Sequence, residues 1–215
     1  KGTGRWASIE ALKQGVDISM ITSACTARIM SNHLDEREKA WQLIHSPAVG
    51  LSPDKESFAA MVREALYTGK IIAYAQGFSL MQDASRLYGW NLDLGKIASI
   101  FRAGCIIQAV FLNDITHAFE AEPKPENLIF DGFFLSRINE HQDSLRQAVS
   151  TGVMNGLPIP ALCNAVSYLD EFRAKAAGAN LIQAQRDCFG AHTYERTDRE
   201  GVFHHEWRWA NDNQH

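Results

Sequence analysis

The sequence is poor in what several protein classes depend on. Proline and cysteine are scarce, 6 and 4 in 215 residues. The cysteines (Cys25, Cys105, Cys163 and Cys188) are widely separated and form no Cys-x-x-Cys pair, which excludes a zinc ribbon or a thioredoxin-type redox motif. With no secretory leader in the sequence, they read as reduced thiols of a cytoplasmic protein. Cations are not in surplus: 21 Lys and Arg against 25 Asp and Glu leave a net charge of −4. That balance excludes an extended nucleic-acid surface, though not a local cationic pocket. Long apolar runs are missing too. The most apolar stretch, Ile97 to Leu112, contains Arg102 and Gln108 and is too short to cross a bilayer, so no membrane partner is expected. His204 and His205 are adjacent and His192 is distant, so no His pair at metal-ligand spacing exists. Neither a Ser-His-Asp nor a Cys-His arrangement can be assembled.

Strand-like alternation is also lacking beyond a few residues, and what remains is helical period nearly everywhere. The spacing predicts helices over Trp6 to Gln14 and Ile18 to Met30, broken at Gly15, with Asp17 as N-cap of the second. A third is expected over Asp35 to Ile44, its acidic first turn suiting the helix dipole. After a loop with Pro47, Gly50 and Pro53, a long helix is expected from Glu56 to Tyr88. On it Ala65, Gly69, Ala73 and Gly77 recur every four residues, a small-residue stripe that lets another helix approach closely. Asp93 to Phe119 keeps helical spacing through Ile97, Phe101, Gly104, Gln108, Phe111, Ile115 and Ala118 and predicts one helix buried in a bundle. Asn127 to Asn155 reads as one helix or two, stopped by Gly156 and Pro158. Pro160 suits the first turn of a helix reaching Ala176, and a corner at 177–180 precedes a short segment through Arg186. The fold class is therefore all-α: a multi-helix bundle over 1–187 and an irregular C-terminal tail over 188–215.

Four features could carry chemistry. Lys1-Gly2-Thr3-Gly4-Arg5-Trp6 is a glycine-bracketed loop leading into a helix, where backbone amides and the helix N-terminus can meet an anion. It lacks the P-loop ending and the dinucleotide fingerprint; alone, it reads as a chain end. Arg28 is the only cation between Lys13 and Arg37, for which a surface ion pair is the ordinary role. Gly69-Lys70 and its echo Gly95-Lys96 fall in helical periods without a preceding glycine loop, which argues against nucleotide binding. Arg186 and His192 flank Gly190, where the chain can turn. A guanidinium fork matches phosphate or carboxylate oxygens, and an imidazole can donate to a polyol or anion. A structural Arg and a structural His are commoner than ligands, but this polar, aromatic tail does not read as core.

Several of these words, in order, resemble the 6-phosphogluconate dehydrogenases over the whole chain. Lys1-Gly-Thr-Gly-Arg-Trp6 is similar to that family's Lys-Gly-Thr-Gly-Lys-Trp. Gly69-Lys-Ile-Ile-Ala-Tyr-Ala-Gln-Gly-Phe78, Ile100-Phe-Arg-Ala-Gly-Cys-Ile-Ile107, Ala179-Asn-Leu-Ile-Gln-Ala-Gln-Arg-Asp187, Phe189-Gly-Ala-His-Thr-Tyr194 and Gly201-Val-Phe-His204 continue the match. The resemblance implies the helical C-terminal domain of an NADP-dependent enzyme that oxidises 6-phosphogluconate to a 3-keto acid, which loses carbon dioxide to give ribulose 5-phosphate in the pentose phosphate pathway. It implies a homodimer in which the tail of one subunit threads into the other. Lys1 falls on the family's substrate lysine, Arg28 on its substrate-phosphate arginine, and Arg186 and His192 on the tail residues reaching the neighbouring subunit's substrate. Thr3 is a further phosphate contact candidate. The family's cofactor-binding Rossmann domain, general-base lysine and acid glutamate are not among these residues. Because the chain opens on Lys1, in what reads as a loop already in progress, an upstream portion is expected, and the chain alone is expected to be inactive.

Two departures stand out. Gln108 occupies a position where the family commonly has Arg, read here as a changed internal ion pair in a buried helix. Cys188 replaces the usual Tyr. The rival readings are a non-catalytic helical oligomerisation module built on the same scaffold, and a hydroxyacid dehydrogenase acting on another substrate. The joint presence of Lys1, Arg28, Arg186 and His192 disfavours the first, and their phosphate-directed character the second.

Overall fold

The computed structural model describes residues 2–46, 50, 54–176 and 178–207. The chain divides into two compact units, Lys1–Tyr168 and Leu169–His215.

The first unit is all helical. α1 (Thr3–Gln14) ends at Gly15, whose φ of 71° closes the helix in a left-handed cap that a side chain would strain. α2 (Ser19–Met30) starts just after Asp17, whose Oδ1 accepts from the Ser19 N–H at 2.7 Å. The next free amide, Met20 N–H, donates to Oε1 of Gln76 at 3.0 Å. Gln76 is fully buried on α4 (Lys55–Tyr88), and its Nε2 donates to Ser19 Oγ. One side chain of the long helix thus caps the start of another. Replacing Gln76 with Leu should destabilise the protein by about 1–3 kcal/mol, the cost of an orphaned buried donor. A urea midpoint unchanged from the parent would refute it.

α3 (Leu34–Leu43) buries none of its residues. α4 begins at the Asp54 carboxylate, which accepts from Ser57 N–H, and ends at left-handed Gly89. Its middle is largely buried (Thr68, Gly69, Ile71, Ile72, Tyr74, Ala75, Gln76, Phe78), with Lys70 left exposed, as expected of a helix packed among others. The small-residue stripe acts at Gly69, where an added Cβ would lie 2.8 Å from Leu162 Cδ2. Leu162 belongs to α8 (Pro160–Arg173), so the missing side chain is what lets α8 approach.

The single helix expected over Asp93 to Phe119 is not formed. The chain makes α5 (Leu94–Ile100) and α6 (Leu112–Glu120), separated by a non-helical stretch and packed against each other. An added Cβ on Gly95 would meet the Thr116 carbonyl oxygen at 3.3 Å. The break has a tertiary cause. Gly104 is left-handed (φ 67°), the Lys70 ammonium donates to the Gln108 carbonyl at 2.9 Å, and the Tyr74 hydroxyl donates to the Ile107 carbonyl. Side chains of α4 thereby satisfy backbone groups that a helix would have satisfied internally. Gln108 itself is exposed, so it replaces no buried ion pair.

A 3-10 turn (Leu128–Phe130) capped by Asn127 leads into α7 (Gly132–Met154), capped by Asp131. α7 lies along α4, burying Phe134, Ile138 and Leu145. Between them Phe111 sits edge-on to Tyr67, Tyr74 and Phe134, with centroids 5.4–5.7 Å away.

In the second unit, α9 (Ala179–Gly190) continues past Arg186, further than expected, and is followed by a two-stranded antiparallel hairpin, β1 (Tyr194–Glu195) and β2 (Val202–Phe203). Arg196 grips Asp198 through two 2.6 Å bonds within the hairpin turn.

Candidate functional site

Two places carry the candidate residues, one in each unit. In the first, an open groove of about 600 Å³ runs between the start of α1 and the outer turns of α2. Thr3, Gly4, Arg5, Cys25, Arg28 and Asn32 line it. Gly2 stands at the N-cap of α1 with φ 145° and no capping side chain, and the first turn holds no acid. The uncapped amides and the helix dipole therefore favour an anion there. Gly4, in the first turn of α1, faces α2, where an added Cβ would lie in ordinary contact with Cys25 Sγ at 3.5 Å. Arg28 is exposed in the last turn of α2, and its Nη1 donates to Ser31 Oγ and to Asn32 Oδ1 (3.1 Å). It forms no ion pair among the described residues; the ordinary surface-pair role is not the one it plays. A groove of this size suits a small metabolite. Lys1 lies outside the described residues.

In the second unit, Arg186 and His192 are both exposed. Arg186 Nη1 donates to Gln183 Oε1 at 3.1 Å. The turn expected at Gly190 falls one residue later. Gly190 ends α9, and the left-handed residues are Ala191 (φ 49°) and Thr193 (φ 60°), one on each side of His192. The bare Cα of Gly190 instead makes room for the imidazole, which would lie 3.0 Å from an added Cβ.

Sequence reasoning missed Asp187, the fully buried carboxylate of this unit. Its Oδ1 accepts from Thr193 N–H (3.0 Å) and engages His204 Nδ1 (2.8 Å). Its Oδ2 accepts from His205 N–H and from the Trp207 indole, both at 3.0 Å. Burial pushes its carboxyl pKa up, but the His204, His205 and Trp207 donors more than offset this and hold it well below the usual carboxylate range. The only signal in the sequence was its place beside Arg186.

The sequence profile described as 6-phosphogluconate dehydrogenase, C-terminal domain, matches residues 1–207. The chain belongs to this family. The 6-phosphogluconate dehydrogenase domain is 48% identical over 207 residues to the decarboxylating 6-phosphogluconate dehydrogenase of Lactococcus lactis subsp. lactis (strain IL1403), covering 96% of this chain and 44% of that protein. The same figures hold for the enzyme of Staphylococcus aureus (strain N315). Its fold is similar to that of Plasmodium falciparum 6-phosphogluconate dehydrogenase, a structure described in its apo form and in complex with NADP+ and with 6-phosphogluconate. The TM-score is 0.91 at 39% identity, over 96% of this chain and 45% of that one. The chain therefore spans less than half the length of the relatives it matches. Within the described residues, no helix of this 6-phosphogluconate dehydrogenase domain is long and apolar enough to cross a membrane.

Proposed function

We propose that this chain is the substrate-binding and dimer-forming domain of a cytoplasmic, NADP-dependent oxidative decarboxylase that converts 6-phosphogluconate to ribulose 5-phosphate and carbon dioxide. Family membership across residues 1–207 carries the reading. The α1–α2 groove supports it: Thr3 and Arg28 share that groove with an uncapped helix N-terminus, a donor set suited to a phosphate dianion. Lys1 would extend the set. Arg186 and His192, on a tail taken as 188–215 with the end of α9, would be supplied to the partner subunit's substrate, completing the clamp only in a homodimer with exchanged tails. An apolar stretch left in solvent supports a second copy: Ile100, Ile106 and Val110 are 69%, 102% and 87% exposed.

The described residues do not fit a dinucleotide. They contain no strand–glycine turn–helix unit, so NADP is assigned to a Rossmann domain outside these residues, where it would accept the hydride. The part of this chain is to fix the phosphate and orient the substrate's reacting carbons.

Arg186→Ala in the full-length enzyme tests the proposal. It should raise KM for 6-phosphogluconate by roughly 30- to 800-fold, from a loss of about 2–4 kcal/mol when one partner of a desolvated charged contact is removed. The affinity for NADP should change far less. Unchanged substrate kinetics would remove Arg186 from the site.

A further inference from the structure

Two residues one turn apart on α9, Gln183 and Asp187, hold the residue after His192 at both ends. Asp187 Oδ1 accepts from Thr193 N–H at 3.0 Å, and Gln183 Nε2 donates to the Thr193 carbonyl at 2.5 Å. Gln183 Oε1 also accepts from Arg186 Nη1. A single amide therefore links the Arg186 guanidinium to the backbone beside His192. The segment it holds is strained, since Ala191 and Thr193 are both left-handed without being glycine. Such backbone persists only where its surroundings over-determine it.

We propose that Gln183 and Asp187 are positioning residues: Gln183 holds the Arg186 guanidinium, and the two together fix the backbone that carries His192, so that both side chains are presented preformed to an anionic, hydroxylated ligand. This rests on the reading that Arg186 and His192 contact the substrate. Preorganisation is the gain: an exposed Arg and an exposed His on a free tail would have to be ordered at each binding event. The carboxylate also ties this segment to residues 205 and 207 further along the tail, because its second oxygen takes the His205 amide and the Trp207 indole.

The acceptor pattern singles out an informative variant. His205 N–H and Trp207 Nε1–H can only donate, whereas His204 Nδ1 can accept in its other tautomer. In Asp187→Asn the amide nitrogen is therefore driven to the Oδ1 side. There it can donate to His204 but confronts Thr193 N–H. His205 and Trp207 stay bound, and the bond beside His192 is the one lost.

The experiment uses the full-length enzyme, with folding checked by circular dichroism. Asp187→Asn should raise KM for 6-phosphogluconate about tenfold, in the range measured for coupled neighbouring residues, and leave KM for NADP within about twofold. Combined with His192→Ala, it should add less than about twofold to the effect of His192→Ala alone, because it acts through His192. Gln183→Leu, at a half-buried position, should raise the same KM and spare NADP; it decides the matter if Asp187→Asn does not fold. Lower thermal stability in both variants with an unchanged substrate KM would overturn the proposal, as would full additivity with His192→Ala. If His192→Ala and Arg186→Ala themselves leave KM unchanged, the substrate reading fails and this inference falls with it. If either raises KM while Gln183→Leu and Asp187→Asn do not, the positioning role alone is overturned.

Discussion

Purified by itself, the 215-residue chain should produce no NADPH from 6-phosphogluconate and NADP, whereas the full-length protein containing it should. The chain's candidate residues are Lys1, Thr3, Arg28, Arg186 and His192. All are suited to binding an anion and its hydroxyls, and none is placed to hold a hydride acceptor. General acid–base catalysis contributes about 10²–10⁴-fold, and holding two reactants in register is worth an effective molarity of roughly 10⁵ M or more. Losing both together takes turnover below any steady-state assay. The measurement is absorbance at the NADPH wavelength with the chain at high concentration. A rise above the protein-free control would overturn the assignment of redox and proton-transfer chemistry to residues outside this chain.

How far the sequence could be read depended on whether the cause of each feature was local. Gly15 ends α1 in a left-handed cap, and Asp17 accepts the first free amide of α2. Each of these is decided within a turn of chain, and α1, α2, α4 and α8 fall within a few residues of where periodicity puts them. The stretch from Asp93 to Phe119 went wrong because an apolar period does not say what covers it. Phe111, Ile115 and Ala118 of that pattern are core, yet Ile100, Ile106 and Val110 in the same stretch face solvent. Its helix is broken by Lys70 and Tyr74, more than 30 residues away. The second unit repeats the lesson. Arg186 and His192 stand out in the sequence as side chains suited to anions and polyols, but Asp187 is singled out only by the convergence of residues 193, 204, 205 and 207 on it, a convergence that spacing does not encode.

Phe111→Ala should be the most damaging single substitution in the first unit, destabilising it by about 3–5 kcal/mol. Phe111 is 1% exposed, so its removal forfeits the transfer energy of the ring and leaves a cavity. It also ends three edge-on aromatic contacts, to Tyr67 and Tyr74 of α4 and Phe134 of α7, each worth about 0.5–1.5 kcal/mol beyond area. These neighbours belong to helices already packed together, so they cannot readily collapse into the space. For a unit of this size the melting temperature should fall by roughly 6–20 °C. Phe111→Leu, which restores much of the volume but no ring, should recover part of that loss and so separate the cavity from the aromatic contacts. A loss below about 1 kcal/mol for the alanine variant, read from urea midpoints, would contradict a packed cluster at this position. The effect should also spread. Phe111 is the cap residue of α6 and the last residue of the irregular stretch, so the ring anchors the segment that carries Ile106 and Val110. Loosening it should weaken the dimer proposed to form through that apolar surface, so that in the full-length protein the variant dissociates at a higher protein concentration than the parent.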